Sequence, residues 1–441
     1  MGRGRRVRDP LLVVADREGN LFPVDGWPAL GRSGGTVVRP DPRSWIPLPE
    51  GSLLFHLPGR RPVGFDPAGA RARPFPSVEG GKALAAAAFL APAYTTLFLA
   101  PWEREPGASP LPLYAYCALG WDEERGFVVP AIRVDPDPRQ DPARFDEQAI
   151  RRGAREMLAR FPGNRLAEHL VTRCALDYCC PAARNWVLGR DEAPLPTSPA
   201  CNAACVGCIS SQPGGHVPVT QPRLDFVPDP GEIAAIAADH LERVPGAVVS
   251  FGQGCEGEPL LQGDVLVDAV REIRRRTRKG TINLNTNASR PDVVARLVEA
   301  GLDSIRISLN SAREELYTRY YRPRGYRFAD VLESGAIVAR AGGLVSLNYF
   351  VFPGLTDTDE ELAAFGDIVR RAGVRFVQMR NLNLDPDLYL ESLGLPPDLP
   401  PGFGVDRWRR RARRIAPWLG FGYFNPPRER WPDPPPPGAT G

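Results

Sequence analysis

From residue 201 onward, apolar residues recur at helical spacing in some segments and form short continuous runs, typical of buried strands, in others. Residues 230–243 (PGEIAAIAADHLER) begin with a helix-start proline and carry apolar residues at helical spacing. Further helices are predicted at 263–278, at 291–300, in the stretch up to 341 and at 357–371. The intervening strands are AVVSFG, TINLNTN, SIRISLN, LVSLNYFVF and RFVQMRNLNL.

Strands that alternate with helices through short loops predict a parallel sheet with helical crossovers. One further short strand is predicted near PLPTS, before residue 201, which makes six. We therefore expect an α/β fold over residues 195–385, a partial (β/α)6 TIM-like barrel, with an open doubly wound sheet as the alternative. Both architectures gather functional groups at the carboxyl ends of their strands. Polar residues follow four of the strands: Gln253, Asn285, Asn287, Ser308, Asn310, Asn381 and Asn383.

Residues 1–140 contain short runs of Val, Leu, Phe and Tyr, separated by Gly, Pro and Asp. This pattern predicts a mostly β N-terminal domain with one or two helices. One helix is predicted at about 82–91 and a strand at about 94–100. Residues 83–102 are long enough to suggest a membrane span, but Pro92 in the middle favours the buried helix and strand.

Two further regions flank the predicted barrel. Residues 141–194 read as a helical connector that contains Cys174, Cys179 and Cys180. Residues 386–441 contain a short basic helix (GVDRWRRRARRIAPWLG) and a proline-rich tail that we expect to be disordered. The basic helix is expected to expose its arginines to solvent with Trp408 and Trp418 against the barrel. The alternative is that it binds nucleic acid or an acidic partner.

Overall charge says little about partners, because a formal net charge of +3 on 441 residues is nearly neutral. The first apolar run near the N-terminus has only about four residues, whereas a secretory signal needs about 7 to 15. We therefore expect a cytoplasmic protein with no membrane association. In that reducing compartment, clustered cysteines are more often metal ligands or redox groups than disulfides.

Three of the eight cysteines fall within eight residues, in the segment PACNAACVGCISS. Cys201, Cys205 and Cys208 have the spacing C-x3-C-x2-C. A disulfide uses two cysteines, and structural zinc usually needs four ligands; Cys255 and His216 form no familiar ligand pair with this triplet. Three thiolates on one tight loop suit a cubane iron–sulfur cluster with one open iron.

This spacing, followed by repeated β/α units, resembles the radical S-adenosylmethionine (radical SAM) superfamily over about residues 195–385. The resemblance implies a [4Fe–4S] cluster on the three cysteines and S-adenosylmethionine (SAM) on the open iron. It further implies reductive cleavage of SAM to a 5′-deoxyadenosyl radical that abstracts hydrogen from a substrate. An electron donor such as ferredoxin or flavodoxin is implied as a partner.

Two other segments strengthen the resemblance. Residues 254–261 (GCEGEPLL) are similar to the family's Gly-Gly-Glu-Pro segment, although Glu256 replaces the first glycine. INLNTNAS and AGLDSIRISLNS are similar to its third and fourth strands. The SAM-site residues that the resemblance implies are Gly257, Glu258, Pro259, Asn285, Asn287, Ser308 and Asn310. Gly207 departs from the pattern, since the family usually has a bulky residue before the third cysteine, against the adenine.

The remaining cysteines allow several interpretations. Cys117 is expected to be a buried apolar residue. Cys174, Cys179, Cys180 and Cys255 together would supply four thiolates for an auxiliary iron–sulfur cluster, although adjacent ligands are sterically awkward. The alternatives are inert buried thiols, or a redox or substrate-binding cysteine.

We expect an enzyme whose substrate the sequence does not identify. No cysteine follows residue 255, so the resemblance does not extend to peptide-maturing members with a cysteine-rich C-terminal domain. The alternatives are a non-enzymatic iron–sulfur or zinc protein with a redox or sensor role, and a nucleic-acid-binding module centred on residues 406–414.

Overall fold

The computed structural model describes residues 8–77, 81–212, 214–215, 217–436 and 438. His216, considered above as a metal ligand, lies outside these residues. Two strand-rich regions are joined by a helical connector. No helix in the described part of the chain is both long and apolar enough to span a membrane.

Antiparallel strands make up the N-terminal region. They are β1 (Leu11–Ala15), β2 (Leu21–Pro28), β3 (Gly31–Ser33), β4 (Thr36–Val38), β5 (Trp45–Pro47), β6 (Leu53–Leu57), β7 (Arg60–Asp66), β8 (Arg71–Pro74), β9 (Leu84–Phe89), β10 (Tyr94–Thr96), β11 (Trp102–Arg104), β12 (Gly120–Asp122) and β13 (Gly126–Arg133). Eight of them form one sheet, in which β9 lies between β1 and β6.

The helix predicted at 82–91 is wrong, because LAAAAF at Leu84–Phe89 forms strand β9. Alanine has a high helix propensity, but that propensity is a weak prior that tertiary contacts override. Here β9 pairs with two neighbours and its four alanines are buried, which allows close packing on both faces. The strand expected at 94–100 is shorter, Tyr94–Thr96.

The connector contains α1 (Glu147–Arg160), α2 (Arg165–His169), a π-helix (Leu170–Asp177) and α3 (Pro181–Val187). Asp146 and Asn164 cap α1 and α2, because their side chains accept hydrogen bonds from backbone N–H groups in the first turn. The connector shares one hydrophobic core with the barrel, with Trp186 fully buried in it.

Seven parallel strands form the second sheet, in the sequential order β14 to β20. The strands are β14 (Glu192–Leu195), β15 (Val248–Phe251), β16 (Thr281–Thr286), β17 (Ser304–Leu309), β18 (Leu344–Val351), β19 (Val374–Asn381) and β20 (Gly420–Gly422). The helices are α4 (Pro230–Arg243), α5 (Gly263–Arg276), α6 (Pro291–Ala300), α7 (Glu314–Tyr321), α8 (Phe328–Arg340), α9 (Asp359–Ala372), α10 (Pro386–Ser392) and α11 (Val405–Ile415). An open doubly wound sheet reverses its strand order, and this one does not.

The C-terminal segment differs from the prediction in two ways. It adds a seventh parallel strand, β20, and the start of the proline-rich segment contacts the barrel through Asn425. Asn425 is buried; its side chain accepts a hydrogen bond from Gln378 Nε2 (2.7 Å) and donates one to Glu192 (2.8 Å). Glu192 begins the edge strand β14, whereas Gln378 lies near the opposite edge. The tail therefore bridges the open side of the curled sheet.

The basic helix α11 packs Trp408 into the core, where the indole is fully buried. Trp418 Nε1 donates a hydrogen bond to the carbonyl oxygen of Val374 (3.2 Å). Several arginines of the helix pair with carboxylates, as Arg410 does with Asp406. The helix is therefore attached to the barrel by Trp408, while the Arg410–Asp406 pair lies within the helix itself.

Candidate functional site

The three-cysteine loop follows β14 and lies against the end of α7. Ala204 N and Val206 N donate hydrogen bonds to the carbonyl oxygens of Tyr321 (2.9 Å) and Tyr320 (3.0 Å). Cys201, Cys205 and Cys208 are unpaired thiols that line the same cavity. The loop thus presents all three sulfurs at the carboxyl ends of the strands.

The chemistry of these thiols fits an iron–sulfur cluster. Burial raises the pKa of Cys201 to about 11 and also raises that of Cys205. Thiols must lose their protons to bind metal, and bound cations replace those protons. Arg223 reaches Cys208 Sγ (3.7 Å) and Ser210 Oγ (3.1 Å) with its guanidinium. A positive charge at this position favours a thiolate-bound, negatively charged group.

The segment that resembles Gly-Gly-Glu-Pro is bonded directly to the cysteine loop. Gly257 N donates to Ser198 O (2.6 Å), and Glu258 N donates to Ala200 O (2.7 Å). A Cβ on Gly257 would lie 1.9 Å from the Ala200 carbonyl oxygen, so only glycine fits here. Two motifs that are separate in sequence therefore form one wall of the cavity.

Glu256 holds the two loops together, a role that the sequence did not indicate. Its carboxylate accepts hydrogen bonds from three backbone N–H groups, those of Thr197 (2.8 Å), Ser198 (3.0 Å) and Gln253 (2.6 Å). Burial raises its pKa to about 8. The glutamate that replaces the family's first glycine thus fixes the geometry of the cysteine loop.

Glu258 connects this loop to the end of β16. One carboxylate oxygen accepts from Thr286 Oγ1 (2.5 Å) and Leu260 N (3.0 Å), and the other accepts from Asn287 N (2.8 Å). Burial raises the pKa of Glu258 to about 7. Asn285 Nδ2 donates to the Gly252 carbonyl oxygen (2.8 Å). These side chains lock neighbouring strand ends at the cavity.

Most of the expected SAM-site residues line the cavity: Gly257, Glu258, Pro259, Asn285, Asn287 and Ser308. Asn310 does not. It is buried behind the strand end, and its Nδ2 donates to Leu316 O (3.3 Å) and Tyr389 Oη (3.2 Å).

The cavity has a volume of about 450 Å³. Phe89 and Leu90 of the N-terminal region and Tyr423 of the C-terminal segment contribute to its wall. A Cβ on Gly207 would lie 2.6 Å from Tyr320 Oη. An aromatic ring from α7 therefore takes the space that a bulky residue before the third cysteine would need.

Two arginines on barrel strands line the cavity, and the sequence analysis did not single them out. Arg306 donates to Gln378 Oε1 (2.9 Å), and the Arg380 guanidinium lies 3.8 Å from the centre of the Tyr423 ring. The Nε atoms of both arginines are buried and have no hydrogen-bond partner among the described residues. Burial, with Arg380 nearby, lowers the pKa of Arg306 to about 9. The feature of the sequence that could have indicated Arg306 is its position within the otherwise largely apolar strand SIRISL.

The four cysteines considered for an auxiliary cluster do not all come together. Cys174 Sγ and Cys255 Sγ are 3.7 Å apart, and both residues are buried. Cys180 is partly buried beside them in the connector. Cys179 is exposed, and its sulfur accepts a hydrogen bond from Arg184 (3.0 Å).

A partial β/α barrel with three unpaired cysteines at the carboxyl ends of its strands offers the thiolate ligands that an iron–sulfur cluster uses. Residues 195–366 match the family model described as Radical SAM superfamily. The chain therefore carries a segment that matches the radical SAM superfamily, whose enzymes use a [4Fe–4S] cluster and SAM. The non-enzymatic alternative receives no support.

Two curated relatives are both named GTP 3′,8-cyclase. The protein from Paenarthrobacter nicotinovorans is 34% identical over 29% of this chain and 36% of its own length. That from Microcystis aeruginosa is 32% identical over 31% of this chain and 41% of its own. The matched segments thus span well under half of these relatives.

Solved structures are similar at a lower level. A radical SAM methyltransferase from Sphaerobacter thermophilus is 17% identical, with a TM-score of 0.37 over 53% of this chain and 65% of that chain.

Proposed function

We propose that this protein reductively cleaves SAM and abstracts hydrogen from an anionic substrate bound in the cavity. The cluster held by Cys201, Cys205 and Cys208 would supply the electron that cleaves SAM to a 5′-deoxyadenosyl radical. The observation that carries the proposal is that the three thiols, the Gly257–Pro259 segment and the ends of β15 to β18 line one cavity.

The substrate class rests on Arg306 and Arg380. Burying a charge costs free energy unless a partner of opposite charge or hydrogen bonds compensate it. In the described part of the chain neither arginine has a carboxylate within salt-bridge distance, and Gln378 Oε1 accepts from both, at 2.9 and 3.4 Å. The guanidinium groups bind phosphate and carboxylate in a fork geometry. A phosphate or carboxylate group on the substrate would complete this site.

Phe89 and Leu90 give the N-terminal region a role in the proposed function. They line the cavity together with residues of the barrel and would exclude water from the radical chemistry. The substrate would therefore sit between the N-terminal strands and the barrel.

GTP is the first candidate substrate to test, because the two curated relatives carry its name and a triphosphate would suit the arginine pair. Those relatives match only about a third of this chain, so GTP is a proposed substrate and no more.

The reaction class is tested by anaerobic reconstitution with iron and sulfide, followed by addition of dithionite and SAM. We expect 5′-deoxyadenosine from the wild type and none from Cys201→Ala/Cys205→Ala/Cys208→Ala. Cys117→Ala is the matched control, because this thiol is buried in the N-terminal sheet and accepts a hydrogen bond from Thr96. Equal product from the wild type and the triple variant would refute the proposal.

The substrate class is tested separately with inorganic tripolyphosphate and with GTP deuterated on the ribose. Tripolyphosphate should raise the melting temperature of the wild type, and Arg306→Gln or Arg380→Gln should weaken its binding about tenfold or more. Arg410→Gln on the exposed face of α11 is the control. Deuterium in 5′-deoxyadenosine would identify GTP as the hydrogen donor. No effect of tripolyphosphate on the wild type would contradict an anionic substrate.

A further inference from the structure

A second cluster of metal-binding side chains lies in the connector, outside the proposed SAM cavity. It contains Cys174, Cys255 and His169, and one donor atom from each lies within 4.8 Å of the others. The two sulfurs are 3.7 Å apart and belong to free cysteines that are only 2% and 5% exposed. His169 Nε2 is buried and has no hydrogen-bond partner in the part of the chain that the structure describes.

The local backbone brings His169 and Cys174 together. Helix α2 ends at His169 and continues directly into the π-helix Leu170–Asp177. In an α-helix, residues five apart point about 140° away from each other around the axis, at 3.6 residues per turn. In a π-helix the hydrogen bonds join residues five apart, which stacks such positions. This rare geometry, often found at functional sites, is what lets the two side chains face one point.

Cys255 comes from the opposite side, in the loop after β15. Its carbonyl oxygen accepts a hydrogen bond from Leu224 N (2.9 Å), which fixes the backbone at this position. The next residues, Glu256 to Glu258, form the segment that contacts the cysteine loop. The cluster therefore lies between the connector and the segment expected to contact SAM.

The sulfur separation distinguishes two kinds of metal group. With zinc–sulfur bonds of about 2.3 Å, two thiolates on one tetrahedral ion lie about 3.8 Å apart. The observed 3.7 Å agrees with this value. A [4Fe–4S] cubane binds each thiolate on a different iron and directs the sulfurs away from one another, so it requires a much wider separation.

We propose that His169, Cys174 and Cys255 bind a single zinc-like divalent ion, with Cys180 as the fourth ligand. Cys180 N donates to Cys174 O (2.8 Å), so its side chain starts beside the cluster. On binding, the cysteine thiols release their protons to solvent and the ion takes their place; no oxidation or reduction occurs. The ion would tie the connector to the Glu256–Glu258 segment and so support the proposed SAM site from behind.

The test measures the zinc and iron bound per chain in the full-length Cys201→Ala/Cys205→Ala/Cys208→Ala variant. The variant is purified anaerobically from cells grown in medium supplemented with zinc and iron. We expect one zinc per chain. A further Cys174→Ser or Cys255→Ser substitution should remove that zinc, whereas Cys179→Ser, the matched control, should retain it. Replacing the zinc with Co²⁺ should give the strong visible bands of a tetrahedral cobalt–thiolate site, and His169→Ala or Cys180→Ser should shift them.

Three outcomes would overturn the proposal. Iron and sulfide in place of zinc would indicate an auxiliary iron–sulfur cluster. A mass lower by two hydrogens, with no metal, would indicate a Cys174–Cys255 disulfide. Zinc retained by both Cys174→Ser and Cys255→Ser would place the metal elsewhere. Circular dichroism of each variant separates metal loss from unfolding, and because SAM cleavage is assayed separately, either proposal can fail alone.

Discussion

Gly257 shows how a single residue controls the approach of two loops. Any side chain at this position would collide with the Ala200 carbonyl oxygen, next to Cys201. Backbone oxygen atoms cannot move aside as the end of a flexible side chain can. Displacing them would shift the hydrogen bonds that Gly257 N and Glu258 N make with the cysteine loop.

We therefore predict that Gly257→Ala lowers the free energy of unfolding by about 1–3 kcal/mol, as overpacking does. The same substitution should reduce 5′-deoxyadenosine formation at least tenfold while iron content is retained. Gly231→Ala in α4, where a Cβ meets no atom of the described residues within 4 Å, is the control and should be neutral or slightly stabilising. Undiminished SAM cleavage by Gly257→Ala would show that the close approach is unimportant.

His240 provides a prediction about pH. It is buried at the end of α4, and its Nε2 lies 3.2 Å from the carbonyl oxygen of Asp191. Burial lowers its pKa from 6.5 to about 4. Above pH 6.5 the histidine is neutral in both the folded and the unfolded chain, so its titration does not change the free energy of unfolding. As pH falls from 6.5 toward 4, only the unfolded chain takes up the proton, so stability is lost.

We expect this one group to remove about 2 kcal/mol of stability between pH 7 and pH 5. In His240→Gln, which keeps a hydrogen-bond donor, urea unfolding should show a correspondingly smaller loss over the same pH range. Equal losses in the two proteins would mean that His240 is protonated in the folded state.

Among the secondary-structure elements, those of the barrel were predictable because the hydrophobic pattern that indicates each one lies within a single short segment of sequence. Helices Pro230–Arg243 and Pro291–Ala300 begin and end as predicted, and the five strands after residue 201 occur where apolar runs stand between helices. Strand Leu84–Phe89 was not predictable from the same signals, because its conformation is decided by pairing with strands distant in sequence. The three-residue strand β20 is too short to carry a periodic pattern.

Helix α11 has an apolar anchor within a very basic sequence. The Trp408 ring stacks on Tyr349 with 5.6 Å between centroids and contacts Phe365 and Phe421 at 5.0 and 6.1 Å. By contrast, the Arg410 side chain is 64% exposed and pairs with Asp406 one turn away.

Trp408→Ala is therefore expected to lower the free energy of unfolding by about 3–5 kcal/mol, through the loss of buried contacts and the cavity it leaves. Arg410→Ala should change it by no more than about 0.5 kcal/mol, because exposed ion pairs contribute little. Chemical denaturation of both variants measures the difference. A small effect of Trp408→Ala would mean that α11 does not depend on this anchor.

Over the whole molecule, the residues that line the candidate cavity were only partly predictable from the sequence. The cysteines and the Gly257–Pro259 segment, which line it, could be predicted because each motif lies within a few consecutive residues. Glu256, Arg306 and Arg380 were missed, since their roles depend on strands and loops that meet only in the fold. Phe89 and Leu90 likewise reach the cavity only because the N-terminal sheet packs against the barrel.

That packing is fixed by a buried ion pair. Asp385, the N-cap of α10, accepts hydrogen bonds from Arg60 NH2 (2.8 Å) and Leu111 N (2.9 Å), both in the N-terminal region. The side chains of Arg60 and Asp385 are both fully buried. Next to this pair, Asp387 accepts hydrogen bonds from Arg32 (2.6 Å) and Trp102 Nε1 (2.8 Å). The start of one helix thus holds the N-terminal sheet in place.

Removing one partner of a buried pair leaves an uncompensated charge, which typically costs about 3–5 kcal/mol. We predict a loss of that size for Asp385→Ala, and a smaller one for Arg60→Met/Asp385→Leu, in which no buried charge is left unpaired. Asp367→Ala, which breaks an exposed pair with Arg370, should be nearly neutral. Urea denaturation of the four proteins gives these differences. If the double variant proves less stable than Asp385→Ala, the unpaired charge is not the main cost, and the remaining hydrogen bond from Arg60 to the Ser109 carbonyl oxygen contributes more.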